Sequence, residues 1–237
     1  MSATFKLCFI DGERWKWITD GLLATLEITA VALLIGIVIG IIVAAVRSSY
    51  DKNRESMKAR GGAGYVLLSI ADKICKLYLT IIRGTPTVVQ LLICYFVIFS
   101  SWRDGKPVAM ISFGINSGAY VAEIFRSGIM STDEGQFEAG RSLGFGYIQT
   151  MRYIIIPQAF KTVLPTLCNE FIVLIKETSI AGYVGIMDLT KAGDLIRGRT
   201  FEAFMPLIAV ALIYLVLVIV LTRLVGKLER RLRKNER

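Results

Sequence analysis

Apolar residues in this chain gather into long, nearly unbroken runs instead of the short alternations of a soluble fold. Ile28 to Val46 carries no charge, and Leu22 to Leu26 extends it outward. Gly84 to Trp102 is uncharged, with helical character expected from about Tyr65. Val108 to Ala122 is a third run, continued to Met130 with Glu123 and Arg126 inside it. Phe160 to Tyr183 is mostly apolar but contains Lys161, Glu170, Lys176 and Glu177; Ala203 to Thr222 is uncharged. A hydrocarbon core about 30 Å thick takes about 20 helical residues to cross. The pattern therefore predicts an all-α integral membrane protein with five transmembrane helices, at about 22–46, 66–102, 108–130, 160–183 and 203–226. Together they form one domain over residues 1–237.

Composition agrees. Hydrophobic residues make up 54% and charged residues 20% of the chain, against roughly 45–50% apolar in soluble domains. The net charge of +9 sharpens the picture because the basic residues sit beside apolar runs. Arg47, Lys52, Arg54, Lys58 and Arg60 lie between the first two spans. Arg223, Lys227, Arg230, Arg231, Arg233, Lys234 and Arg237 follow the last. Such clusters orient membrane proteins with the basic side in the cytoplasm and meet anionic lipid there; nucleic acid is not called for. The expected topology puts the N-terminus outside, the C-terminus inside, residues 131–159 in the cytoplasm and 185–202 outside. Residues 56–64 read as a flexible linker. Gly36 with Gly40 and Gly114 with Gly118 have the spacing that lets helices pack closely. No short apolar core with a small-residue cleavage site precedes the first run, so that run reads as a span.

Function classes drop out on simple grounds. The chain has no histidine, which removes the commonest metal ligand and the usual acid–base catalyst. Cys8, Cys75, Cys94 and Cys168 form no CxxC pair. No GxxxxGK[ST] occurs: Gly105-Lys106 is followed by Pro and Gly226-Lys227 by Leu. The chain thus lacks the loop that cradles nucleotide phosphates.

The cytoplasmic segment 131–159 contains TDEGQFEAGRSLGFGYIQTMRYIIIPQAF. It predicts two short helices outside the bilayer. Glu138, Ala139 and Gly140 open the first and Gly144 closes it, since glycine accepts the left-handed conformation that ends helices. Tyr147 to Ile156 forms the second, and Pro157 leads into the next span. Glu138-Ala139-Gly140, Gly144 and Ile154-Ile155-Ile156-Pro157 resemble, at every spacing, the signature loop of ATP-binding-cassette importer permeases. Gly140 replaces an alanine and Ile156 a leucine. Arg83-Gly84-Thr85-Pro86 with Gln90, Ser117 to Arg126, and Asn169 to Thr178 further resemble the permeases of polar amino acid importers, the group serving histidine, arginine, glutamine and cystine uptake. The resemblance runs from Gly21 to Arg231. It implies a type I importer permease in a bacterial plasma membrane, with cytoplasmic coupling helices. It also implies a second permease (a copy or a sister chain), an ATPase subunit carrying ATP and Mg²⁺, and an extracytoplasmic solute-binding protein. This chain itself then needs no cofactor and is a transport subunit, not an enzyme. A short rigid helix suits docking because it transmits movement as one body.

Ionisable and polar groups inside spans are functional candidates. Depth places Arg83 level with Glu123, predicting an ion pair near the gate. Pro86 beside Gly84 predicts a bend in the second span. Gln90, Asn116, Ser117, Tyr120, Glu170, Glu177 and Thr178 are candidates for a substrate pathway, with a carboxylate for an ammonium group and amide or hydroxyl donors for a carboxylate. The same residues equally suit helix-to-helix hydrogen bonding. The alternative function is an ion-coupled carrier or channel for small polar solutes, which requires no docking loop.

Overall fold

The computed structural model describes residues 3–60 and 62–234; Gly61 of the expected linker and Arg237 of the basic tail lie outside them. Among these residues every element is helical. A single turn, α1 (Ala3–Phe5), runs through two further short turns into α2 (Trp15–Arg60). α2 is 46 residues long and continues well past the expected end of the first span. Residues 56–60 are not linker: Ser-Met-Lys-Ala-Arg contains no breaker, so the helix persists to the glycines, where Gly62 adopts φ 104°.

The second expected span is not one helix. α3 (Ala63–Gly84) and α4 (Thr87–Ile93), the latter prolonged by a π-helical turn Cys94–Ile98, meet at 108°. Thr85 is extended, φ −121° and ψ 147°, as the residue before proline prefers, and Pro86 sits at the N-cap of α4. α5 (Gly105–Met130) starts on an Asp104 side chain that accepts from the Lys106 N–H. In the segment 131–159 lie α6 (Glu134–Ser142) and α7 (Tyr147–Thr150), the second passing through a π turn Met151–Ile155 into α8 (Ile156–Glu177). A 3₁₀ stretch Thr178–Val184, α9 (Leu189–Thr200) and α10 (Phe204–Lys234) complete the chain.

α2, α5 and α10 are each long and apolar enough to cross a membrane, and the bent α3–α4 pair makes a fourth if it is one span. α8 has the length, about 33 Å for its 22 residues, but not the composition, because of the charges noted above. α5 is the central helix: 61% of its apolar stretch is buried, against 11% for α10 at the periphery. Outward side chains such as Leu34, Leu67 and Val216 are exposed, as a lipid-facing surface requires.

α2 and α5 pack through the two glycine pairs, each filling the other's gaps. A Cβ on Gly40 would lie 2.8 Å from Val121 Cβ and 2.9 Å from the Ala122 nitrogen; one on Gly114 would lie 2.7 Å from Ile35. Toward the outer half, Ile28, Leu91, Phe113 and Leu174 join α2, α4, α5 and α8 in one buried cluster. α9 is fastened to the outer end of α2, where the Leu189 N–H donates to Thr25 Oγ1 at 3.1 Å. Asp188 caps α9 by accepting from the Thr190 and Lys191 N–H groups. Burial pushes its carboxyl above the usual range, and those N–H donors pull it back.

Candidate functional site

The loop over 131–159 is built by glycine. α6 begins at Glu134, one turn before the expected Glu138, because the Asp133 side chain caps it by accepting from the Gly135 N–H. It ends at Gly144, φ 79°, where the Gly144 N–H bonds to Arg141 O at 2.9 Å and the Phe145 N–H to Gly140 O at 3.0 Å. This paired closure is the Schellman arrangement, and it turns the chain back toward α7. The Gly146 N–H then donates to Gln149 Oε1 at 3.0 Å to start α7. Gly140 is buried because Thr150 lies across it; a Cβ there would sit 2.7 Å from Thr150 Oγ1.

Among the polar side chains that the loop turns outward stand large apolar ones. Leu143 is 71% and Ile148 78% exposed, on either side of the Gly144 turn, while Glu138 and Ala139 are also exposed. These side chains lie outside the apolar spans, so lipid does not account for them. The loop is braced against the overhanging end of α2. Lys52 Nζ meets Glu134 Oε1 at 3.1 Å and lies 4.5 Å over the Phe137 ring. Between the two elements is a cavity of about 520 Å³ lined by Asp51, Arg54, Glu138, Arg141 and Tyr147, among others. Burial pushes the Tyr147 phenol up; Ser49 and Asn53 draw it back.

A second cavity, of about 360 Å³, opens between α5 and α8. Tyr120, Glu123 and Ser127 line it from α5, and Thr162, Thr166 and Glu170 from α8. The α8 residues recur every four positions and so form one polar stripe. Ser117 Oγ donates to Glu170 Oε1 at 3.0 Å, orienting that carboxylate. Of the expected pathway residues, Ser117, Tyr120 and Glu170 are thus brought together. Gln90, Asn116, Glu177 and Thr178 do not line this cavity. Gln90 instead mends the bend: its amide donates to Ile82 O at 2.8 Å and to Thr85 Oγ1 at 2.7 Å, supplying partners that the Thr85–Pro86 break removes, and its Oε1 accepts from Asn116 Nδ2 at 2.9 Å. Thr178 Oγ1 donates to Ile175 O at 2.8 Å and faces Thr29 Oγ1 at 3.4 Å.

The expected Arg83–Glu123 pair does not form. Arg83 has no ion pair among the described residues and lies 5.8 Å over the Tyr120 ring. The partner of Glu123 is Arg47, at 2.8 Å, with Arg126 at 3.3 Å. Arg47 also faces buried Asp72 at 3.7 Å, and Asp72 holds Lys76 at 2.7 Å. Arg126 reaches Asp51 at 3.4 Å. The network ties α2, α3 and α5 together at the end of the bundle nearer α6. Depth alone misled because Arg47 had been counted only as a topology charge. Asp72 carried its own signal: an acid inside the expected second span.

With this geometry in hand, the chain is readily placed among known proteins. Residues 61–234 match the family described as binding-protein-dependent transport system inner membrane component. The arginine transport system permease protein ArtQ of Bacillus subtilis is 35% identical, covering 93% of this chain and 94% of its own. The glutamine transport system permease protein GlnP of Escherichia coli is 35% identical over 90% of this chain and 92% of its own. A crystal structure described as an amino acid ABC transporter with histidines superposes with a TM-score of 0.80 at 38% identity, covering 94% of this chain and 98% of that one. The MetNI methionine ABC transporter shares the fold, with a TM-score of 0.71 at 20% identity over 99% of both chains.

Proposed function

The chain belongs to the family of binding-protein-dependent transport system inner membrane components, and on that premise we propose that it is the membrane permease of an ATP-driven importer of polar amino acids. Relatives that serve glutamine and arginine support the substrate class. The permease crosses the bacterial plasma membrane five times, with α8 as the fourth crossing, N-terminus outside and C-terminus inside. It pairs with a second permease, its copy or a sister chain, and receives substrate from an extracytoplasmic solute-binding protein. ATP and Mg²⁺ reside on a separate ATPase that docks on Glu138, Ala139, Gly140 and Gly144. Alternating access opens and closes the α5–α8 cavity.

The observation that carries this reading is the loop itself: exposed Leu143 and Ile148 frame a glycine-closed turn whose second arm runs without a break into α8. A push on the turn therefore reaches the helix that bears Glu170. In that cavity the Glu170 carboxylate meets the substrate ammonium, Tyr120 shapes the wall, Ser117 holds Glu170 from behind it, and Arg83 and Pro86 flank the gate. Gln90, Asn116, Glu177 and Thr178 hold the surrounding helices.

Reconstitution in liposomes with the ATPase and the binding protein tests the assignment. Labelled glutamine or arginine is expected to accumulate only when ATP and the ATPase are present. Leu143→Glu with Ile148→Glu is expected to lower uptake more than about tenfold, the effect of losing roughly 1.4 kcal/mol or more of docking, while the permease stays folded. Glu170→Gln is expected to lower uptake with docking of the ATPase unchanged. Uptake by the purified chain without any ATPase would overturn the reading in favour of an ion-coupled carrier.

A further inference from the structure

The polar stripe of α8 has an apolar counterpart on the opposite side of the same helix, and that side is not closed. α2, α8 and α10 enclose a trough of about 370 Å³ in which every lining side chain is aliphatic, aromatic or, at Cys168, a thiol. It is elongated along the helices. On α8 it extends from Leu164 to Ile172 and on α10 from Leu221 to Leu228, which is about 10–12 Å at 1.5 Å per residue. With the C-terminus inside, the orientation on which this inference rests, the trough runs from mid-membrane to the cytoplasmic face.

The inner mouth is basic. Leu221, Leu224, Val225 and Leu228 form one stripe on α10, and side chains three, four and seven positions on share a stripe. Lys227 and Arg231, three and seven positions beyond Leu224, border this stripe on its Leu224 side toward the cytoplasm, and both are exposed. Glu229, the acid in this stretch, already has a partner. An apolar slot parallel to the membrane normal, ending in two cations at the surface of the leaflet that carries anionic lipid, matches one kind of ligand. We infer that the trough holds an acyl chain of an anionic phospholipid of the cytoplasmic leaflet, with its headgroup on Lys227 and Arg231. A second copy of the chain fits worse, because an isologous contact here would bring an equally basic α10 tail to the same depth.

Native mass spectrometry of the full chain, purified in the presence of equal phosphatidylglycerol and phosphatidylcholine, tests the inference. The expected result is retention of one phosphatidylglycerol with a preference of at least about fivefold. Lys227→Gln with Arg231→Gln is expected to bring the preference close to one. Arg223→Gln with Arg230→Gln, an equal loss of charge off the stripe, is expected to leave it intact. Cys168→Trp, which fills the trough, is expected to reduce retention of both lipids. Equal retention of the two lipids by the unaltered chain overturns the inference, as does an equal fall for the two charge variants. A dimer that retains no lipid and is lost in Cys168→Trp assigns the trough to a second copy and also overturns it.

Discussion

The two faces of α5 meet their neighbours in opposite ways. Toward α2, glycines interleave and backbones approach to the limit that hydrogen atoms on Cα allow; toward α8, the helices part around a cavity bearing Tyr120, Ser127 and Glu170. The first contact tolerates no sliding, since Gly36, Gly40, Gly114 and Gly118 each lie against side-chain or backbone atoms of the facing helix. The second is held in its middle by a polar contact, Ser117 to Glu170, whose partners water or substrate can replace. In a bilayer, where tails are as apolar as leucine, close packing and hydrogen bonds decide association. The contrast teaches that α2 and α5 are packed to stay together, so that the proposed alternating access would fall to α8.

Gly40→Val attacks the closed interface most directly. Its side chain would collide with Val121 and with the backbone nitrogen of Ala122, and overpacking of this kind costs about 3 kcal/mol. The expected outcome is loss of monodisperse chain on gel filtration, with Gly226→Val, which has open space around it, as the tolerated control.

Arg47→Ala comes next. It leaves buried Asp72 with Lys76 alone and removes the shortest bond to Glu123. The loss should be about 3 kcal/mol, the lower end for a broken buried pair, since Glu123 is 25% exposed and keeps Arg126. Thermal unfolding in detergent reads this out. Arg83→Ala, which loses only a contact with the Tyr120 ring, should cost about 0.5–1 kcal/mol; an equal loss in the two variants would break the distinction between them.

Ser117 gives the finest test because it serves both faces. Its Cβ fills the space over Gly36 and its hydroxyl bonds to Glu170. Ser117→Ala keeps the first and deletes the second. Stability should fall by about 1 kcal/mol, the net value of one hydrogen bond, while uptake falls further than stability accounts for. Unchanged uptake would show that Glu170 needs no orientation.

Much of this architecture is written in single stretches of sequence. The apolar runs, the glycine spacing, the Pro86 bend and the glycine-closed loop are local signals, each readable without knowing what lies opposite. What is not local stays hidden. Hydropathy counts Arg47 as a flank and cannot see that α2 carries it to the depth of Glu123 and Asp72. Gln90 looks like a pathway residue until the bend turns it back onto Ile82 and Thr85. Glu170 of α8 reaches the α5–α8 cavity beside Glu123 of α5 whereas Glu177, two turns further along α8, does not line it, a fact of helix rotation that spacing along one helix does not supply. Helix ends depart from the expected span ends for a related reason: apolarity marks where lipid ends, whereas helices end only at breakers, so α2 and α10 overrun their apolar segments.

The length of α2 has a mechanical meaning. At 46 residues it is about 69 Å of unbroken rod, more than twice the thickness of the hydrocarbon it crosses. Its top is pinned to α9 through Thr25 and its foot to α6 through Lys52. It stands like a mast stayed on both decks. In the proposed topology a small tilt at the α9 end would swing the foot against the loop with no relay of side chains between them, and one stiff strut would join the two surfaces of the membrane.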